Sequence, residues 1–162
     1  MLFLLDTNAF SDLMREHSQL DARLAALAST DRVLICSVVR GEIRYGIERL
    51  PQSKRRQELE TKAAKLFAVL PCEPVPEKAG DHYATIKLKR QQKGFTLDEN
   101  DLWVAATALS LGAVLISRDT DFRHIDGLIV KDWTVCLQEK TMEEGSRVRR
   151  VKRAMCFSLP LA

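Results

Sequence analysis

Four acidic side chains follow apolar segments of this sequence at positions from which they could share one site. Asp6 directly follows the apolar run 1–5, and Glu42 comes six residues after the run 33–36. Asp119 follows the run 113–116 closely, and Asp101 lies in the helix predicted before that run. Ligands of open α/β sheets bind at the carboxyl ends of the parallel strands. We therefore predict that these four carboxylates gather at one edge of one sheet.

Carboxylates that lie close together disfavour joint ionisation, so such a cluster needs a compensating positive charge. Mg²⁺ supplies that charge, since it takes oxygen ligands, typically one or two carboxylates with waters and substrate phosphate. A metal held in this way lowers the pKa of a bound water and stabilises charge on a phosphoryl group. The acid pattern therefore predicts metal-assisted phosphoryl chemistry. Taken singly, each acid is also explained as a helix cap or turn former.

Other kinds of site are not indicated by the sequence. The three histidines lack the HxxxH or HExxH spacing of a zinc site, and there is no GxSxG motif or glycine-rich phosphate loop. The four cysteines show no CxxC spacing, which favours core thiols in a reducing compartment. The apolar run 2–5 is shorter than the roughly 7–15 residues of a signal peptide core. We expect a cytoplasmic protein, whose net charge of +3 is compatible with an anionic partner.

The segment 96–122 positions two of the acids. Asp98 is predicted to cap a helix whose first turn contains Asp101. Gly112 is predicted to end that helix, because glycine takes the left-handed conformation without a steric penalty. The run 113–116 has no polar alternation, which is typical of a strand buried on both faces of a parallel sheet. The helix and strand would bring Asp101 and Asp119 to the same edge.

The rest of the chain continues this alternation of strands and helices. Apolar spacing predicts strands at 1–5, 33–36, 128–130 and 134–137, and helices at 9–15, 20–28, 38–50, 54–70 and 77–93. Thr7, Asn8 and Ser37 are predicted caps, and Val75 is placed in a short strand. The order predicts a three-layer α/β/α sandwich with a central, mainly parallel sheet. We expect one domain over residues 1–138 and a basic tail over 139–162.

Four motifs in this chain resemble those of a known family. They are LLDTNAF at 4–10, SVVRGEIRYGI at 37–47, NDLWVAATAL at 100–109 and ISRDTDF at 116–122. Their order and spacing resemble PIN-domain ribonucleases of the VapC toxin type over roughly residues 1–137. This resemblance implies a PIN-like fold and a nuclease domain over residues 1–138. It also implies a Mg²⁺- or Mn²⁺-dependent endoribonuclease that acts as the toxin of a type II toxin–antitoxin pair.

Carried over position by position, the resemblance places the family's catalytic acids on Asp6, Glu42, Asp101 and Asp119. We predict that Asp6 and Asp101 hold the metal and that Asp119 completes its site directly or through a water. Glu42 would bind or orient the attacking water, or support a second metal. Ser117 matches a hydroxyl of the family site, and Arg118 beside it is a candidate for contact with substrate phosphate.

The resemblance also implies partners and products. Family members are usually homodimers, and a cognate antitoxin inhibits them with a C-terminal segment that lies between the early helices and blocks the acidic site. Cleavage of RNA leaves a 5′-phosphate and a 3′-hydroxyl.

Some alternatives stay open on sequence alone. Asp121 could replace Asp119, although the 18-residue spacing from Asp101 favours Asp119. A non-catalytic PIN-like module that binds RNA or protein would use the same fold without turnover. A phosphohydrolase of the haloacid dehalogenase type also begins with a strand ending in Asp. That family needs a second Asp two residues later, where this chain has Asn8.

Overall fold

The computed structural model describes residues 1–135, so the predicted tail and the end of the predicted domain lie outside the described residues. The strands are β1 (Leu2–Leu5), β2 (Arg32–Cys36), β3 (Cys72–Glu73), β4 (Val114–Ile116) and β5 (Val130–Lys131). The helices are α1 (Thr7–Met14), α2 (Ser18–Ala25), α3 (Ser37–Glu48), α4 (Lys54–Val69), α5 (Ala79–Gln92) and α6 (Glu99–Leu111). A 3₁₀ helix, Thr120–His124, follows β4.

The five strands form one parallel sheet in the order β3-β2-β1-β4-β5. Phe3 of β1 lies opposite Val33 on one side and Val114 on the other. The central strand β1 and its neighbour β4 contain only apolar residues, as expected of strands whose two faces are covered by helices. The predicted three-layer α/β/α sandwich is thereby confirmed.

The strand order reverses beside β1, and this reversal positions the site. The chain runs outward from β1 through β2 to β3 and then returns to β4 on the other side of β1. Right-handed crossovers therefore put the first four helices on one face and the last two on the other. Phe10 of α1 stacks on Phe67 of α4, and Tyr83 of α5 stacks on Trp103 of α6. The crevice between the carboxyl ends of β1 and β4 is the expected ligand position in this topology.

The predicted elements occur in the predicted order as far as β5, while several predicted ends differ. Asp6, rather than Thr7 or Asn8, caps α1, and Ser37 is the first residue of α3 rather than its cap. β3 lies at Cys72–Glu73 rather than at Val75. The prolines at 74 and 76 lack the N–H groups that would continue a ladder there.

The end of the described chain forms a turn rather than the predicted strand. The Asp132 carboxylate accepts hydrogen bonds from the Thr134 amide (2.8 Å) and hydroxyl (2.6 Å), which fixes a turn at this point. The other half of the predicted strand lies outside the described residues. No helix within residues 1–135 is long and apolar enough to cross a membrane.

Candidate active site

Asp6 stands at the junction of β1 and α1 and is 2% exposed. Its Oδ1 accepts a hydrogen bond from the Ala9 amide (2.6 Å), so the carboxylate caps α1. The pKa of Asp6 is raised to about 6, chiefly by burial and to a smaller extent by the negative charges of Asp119 and Asp12. The hydrogen bonds from Ala9 and the Ser117 hydroxyl lower it in part. Asp6 therefore caps α1 and is also a buried acid whose ionisation is disfavoured.

Asp101 lies in the first turn of α6, as predicted. The pKa of Asp101 is raised to about 7, first by burial and then by the negative charges of Glu42, Asp98, Asp119 and Asp6. These mutual effects mean that acids from β1, α3, α6 and the end of β4 lie close enough to repel one another. The structure therefore brings the four predicted acids within electrostatic range of one another, and we call this group of carboxylates the acidic pocket.

Glu42 connects three helices at this pocket. The Thr7 hydroxyl of α1 donates to Glu42 Oε2, and the Asn100 side-chain amide of α6 donates to Oε1 at 2.9 Å. Asn100 was not among the predicted site residues, although it stands directly before Asp101 in the NDLW motif. Its contribution is to fix the orientation of a carboxylate that comes from a distant part of the chain.

Asp119 faces the pocket, while its neighbour Asp121 does not contribute in the same way. Ser117 Oγ accepts a hydrogen bond from the Asp119 amide (3.0 Å), and Asp119 Oδ1 accepts one from the Asp121 amide (2.8 Å). Asp119 is among the charges that raise the pKa values of Asp6 and Asp101, whereas Asp121 is exposed and is not among them. This geometry favours Asp119 as the fourth acid.

Arg118 lies at the rim of the pocket, where it meets a buried acid that sequence reasoning missed. Arg118 Nη1 is 3.5 Å from Asp12 Oδ2, and Arg15 donates to Asp12 Oδ1 at 3.2 Å. Asp12 is 3% exposed. The sequence does show Asp12 directly before the apolar residues Leu13 and Met14, which suggests that it lies among the buried residues of α1. Asp12 holds Arg118 close to the acidic pocket.

The pocket suits an ion that keeps part of its water. Within residues 1–135, no three His, Cys, Asp or Glu side chains lie close enough to form a ready-made ligand set for one ion. A closed tetrahedral zinc site requires such a set. Mg²⁺ instead takes one or two carboxylates and retains several waters. The buried Asp6 and the half-buried Asp101, both with raised pKa values, lie near two further acids, and this arrangement fits a hydrated hard cation.

Comparison with known proteins places the chain in a family. The PIN-domain family model matches residues 3–128. The chain belongs to the PIN-domain family. Ribonuclease VapC1 of Haemophilus influenzae strain R2866 is 32% identical over 139 residues, which cover 83% of this chain and 99% of that protein. Ribonuclease VapC2 of Rickettsia felis is 27% identical over 82% of this chain and 98% of that protein.

Solved structures agree with this assignment. The VapBC2 structure from Rickettsia felis, bound to a DNA fragment from its promoter, contains a chain that matches with a TM-score of 0.75 and 26% identity. The match covers 82% of this PIN-domain chain and 99% of that one. A chain of VapBC-1 from nontypeable Haemophilus influenzae matches with a TM-score of 0.74 and 28% identity, over 83% and 100% of the two chains. The family resemblance inferred from the four motifs is confirmed.

Proposed function

We propose that this PIN-domain protein is a Mg²⁺-dependent endoribonuclease that acts as the toxin of a type II toxin–antitoxin pair. The observation that carries the proposal is the gathering of Asp6, Glu42, Asp101 and Asp119 at the β1/β4 reversal, with the pKa values of Asp6 and Asp101 raised to about 6 and 7. The names of the VapC relatives as ribonucleases support the reaction class.

Asp6 and Asp101 would hold the ion directly, and Asp119 would complete its shell through a water. When bound, Mg²⁺ supplies positive charge that lowers the pKa of the attacking water and stabilises the phosphoryl oxygens. Glu42 accepts two hydrogen bonds from protein side chains. A carboxylate has about four lone-pair sites, so Glu42 retains room to accept a hydrogen bond from that water and orient it.

Hydrolysis requires the water oxygen to bond to phosphorus while the bond from phosphorus to the 3′ oxygen breaks. The products are then a 5′-phosphate and a 3′-hydroxyl, as the family resemblance implies. Ser117, 1% exposed, accepts a hydrogen bond from the Asp119 amide and donates one to the Asp6 carboxylate, so it fixes these two acids relative to each other. Arg118, held at the rim by Asp12, would contact a phosphate of the substrate.

Cleavage of structured RNA by the purified protein in Mg²⁺ tests this proposal. Asp101→Asn should reduce the rate by at least roughly a hundredfold, since losing even an outer partner of a metal ligand costs about 10–100-fold. Glu58→Gln, which neutralises an exposed acid of α4, is the matched control and should cleave at the wild-type rate. Equal cleavage by wild type and Asp101→Asn, or full cleavage in excess EDTA, would contradict the proposal.

An apolar groove between α1, α3 and α4 is the proposed position of the antitoxin. Its apolar lining comes from Met14, Ile43, Ile47, Leu50 and Leu59. The same groove reaches Thr7 and Glu42, so a segment lying in it would end at the acidic pocket. The description of the matching solved structures as VapBC complexes supports a partner of this kind.

Co-expression tests the partner. The protein encoded by the gene immediately upstream should neutralise the wild-type chain in growing cells. Leu50→Glu should escape neutralisation and remain toxic, because a charge in the apolar groove opposes burial of the partner segment. Neutralisation of both chains to the same extent would count against this groove. By the family resemblance we also propose a homodimer, which light scattering of the purified protein would test.

A further inference from the structure

A second cleft lies beside the 3₁₀ helix, away from the antitoxin groove. We call it the basic groove. It is formed by one stripe of α5 and by the end of the 3₁₀ helix with the turn that follows. The ionisable residues that line it are His82, Lys89, Arg90, Lys93, His124 and Asp126.

The basic groove carries more positive than negative charge. Lys89 Nζ donates to Asp126 Oδ2 at 3.2 Å, and the pKa of Asp126 is lowered by this hydrogen bond and by the charge of Lys93. Lys89 therefore neutralises Asp126. Within residues 1–135, Lys93 forms no ion pair, so its charge remains available to a ligand.

Arg90 adds a buried cation that lacks a carboxylate partner. It is 4% exposed, and its terminal nitrogens donate to the backbone carbonyls of Asp121 (3.0 Å) and Thr96 (2.9 Å). Its Nε has no hydrogen-bond partner within residues 1–135, and no acid in this range lies within ion-pair distance of it. A buried charge without a counter-charge is costly, so an anion in the basic groove would stabilise this arrangement.

The basic groove is connected to the acidic pocket by the 3₁₀ helix. Asp119 caps the start of this helix, and His124 ends it. The five residues of this helix rise by about 2.0 Å each, so the two sites lie roughly 10 Å apart. An RNA strand spans that distance with a few nucleotides at most. Phe95, 45% exposed, stacks on His124 with ring centroids 5.5 Å apart. Cations beside an exposed aromatic ring are the combination that binds single-stranded nucleic acid.

We propose that the basic groove binds the phosphate backbone of the RNA strand next to the cleaved bond. This inference rests on the proposed ribonuclease function and adds a position for the substrate. Lys93 contacts one backbone phosphate, Lys89 exchanges Asp126 for a second, and the buried Arg90 adds its positive charge from the wall of the groove. The exposed part of the Phe95 ring offers a surface on which a base stacks. The acidic pocket repels RNA, so a separate cationic surface is needed to hold the strand over it.

RNA binding measured under conditions in which the proposed nuclease is inactive tests this proposal. A fluorescein-labelled oligouridylate of about twelve nucleotides, within the usual range of single-strand sites, is titrated in EDTA and followed by anisotropy. Lys89→Gln/Lys93→Gln should raise the Kd roughly tenfold and reduce the slope of log K against log salt by about 1.4, or about 0.7 per lost phosphate contact. Lys54→Gln/Lys65→Gln on α4 makes the same change in charge at exposed positions and should bind as wild type.

The variant Phe95→Leu distinguishes binding of an RNA strand from binding of a small anion. It should weaken binding of the oligouridylate and leave binding of inorganic phosphate unchanged. Equal effects of the two lysine pairs, an unchanged salt slope, or lysine-dependent binding of phosphate alone would overturn the proposal. Circular dichroism melting checks that each variant folds. If the lysine pair of the basic groove is needed for RNA binding but the protein never cleaves RNA, the proposed nuclease function is wrong and the proposed RNA site stands. If the protein cleaves RNA but binds it equally well without this lysine pair, the proposed RNA site is wrong and the nuclease function stands.

Discussion

The Asp6 carboxylate has two roles whose electrostatic requirements conflict. As the cap of α1 it is held inside the protein, and as a pocket acid it must ionise there. Its folded-state pKa of about 6 lies above the value of about 3.9 in an unfolded chain. The folded chain therefore binds this proton more tightly. The resulting contribution to stability is complete below about pH 4 and is lost as the pH rises through about 6.

Asp6→Asn should therefore stabilise the metal-free protein at pH 8. Asparagine caps a helix about as well as aspartate but carries no charge, so the variant keeps the Ala9 hydrogen bond. The gain should be about 3 kcal/mol at pH 8, from a pKa difference of about 2 units, and should vanish near pH 4. Thermal unfolding in EDTA across this range measures it, with Glu58→Gln as the exposed-acid control. A variant less stable than wild type at pH 8 would contradict the burial argument.

Two of the four acids that sequence reasoning found, Asp6 and Asp119, follow strands. Asp6 and Asp119 are recognisable because a strand end is a defined place in a parallel sheet. Asp12 and Asn100 were missed because their roles depend on tertiary partners. Asp12 acts through its ion pair with Arg118, and Asn100 acts through its hydrogen bond to Glu42. Neither contact can be inferred from the spacing of residues along the sequence.

At the scale of elements, α6 shows how a helix end is fixed. Gly112 adopts φ +60°, the left-handed conformation that was predicted from its position after the last helical residue. Gly41 lies inside α3, with no atom within 4 Å of a built Cβ. The same substitution should therefore have opposite effects at these two glycines.

Gly112→Ala should lower the free energy of unfolding by about 1–2 kcal/mol, because a Cβ is disfavoured in the left-handed region. Gly41→Ala should raise it by roughly 0.5–1 kcal/mol, because alanine loses less conformational freedom in a helix interior. Urea unfolding of both variants beside wild type measures the pair. The same sign of change in both would refute the assignment of the helix end.

Arg90 joins two of the elements that carry the pocket acids. Its hydrogen bonds to the carbonyls of Thr96 and Asp121 connect the segment before Asp98 to the segment after Asp119. Neither bond could be predicted, since the sequence shows an arginine near the end of an amphipathic helix. A basic residue there is normally solvated.

Arg90→Lys should weaken Mg²⁺ binding in the absence of RNA, because a single ammonium cannot replace the fork that holds both carbonyls. The free energy of unfolding should fall by about 1.5–3 kcal/mol, as for a hydrogen-bonded charged group. Calorimetric titration with Mg²⁺ measures the affinity, and Gln92→Ala on the same helix is the control. Reduced stability with unchanged Mg²⁺ affinity would limit Arg90 to a structural role.

For the whole molecule, the alternation of strands and helices was enough to predict a parallel sheet between layers of helices. The strand order was not predictable in the same way. β3 contributes two residues between prolines, and β5 contributes two residues after a turn. Such short strands carry little periodicity. The position of the pocket was still inferred, because it depends on β1 and β4, whose apolar runs are clear.

The electrostatics of the whole pocket predict how metal binding depends on pH. Asp6 and Asp101, with pKa values of about 6 and 7, are protonated near pH 5 and ionised near pH 8. Protons and Mg²⁺ therefore compete for the same oxygens, so the ion should stabilise the fold at pH 8 and have little effect at pH 5. At a concentration one hundred times its Kd, the gain at pH 8 should be about 2.7 kcal/mol.

Thermal unfolding with and without MgCl₂ at both pH values measures this difference, and RNA cleavage should rise over the same interval. Asp101→Asn should lose the increase in stability at pH 8, while Glu58→Gln should keep it. Equal stabilisation by Mg²⁺ at pH 5 and pH 8 would place the ion on other groups. The raised pKa values would then reflect a strained acidic pocket without a bound cation.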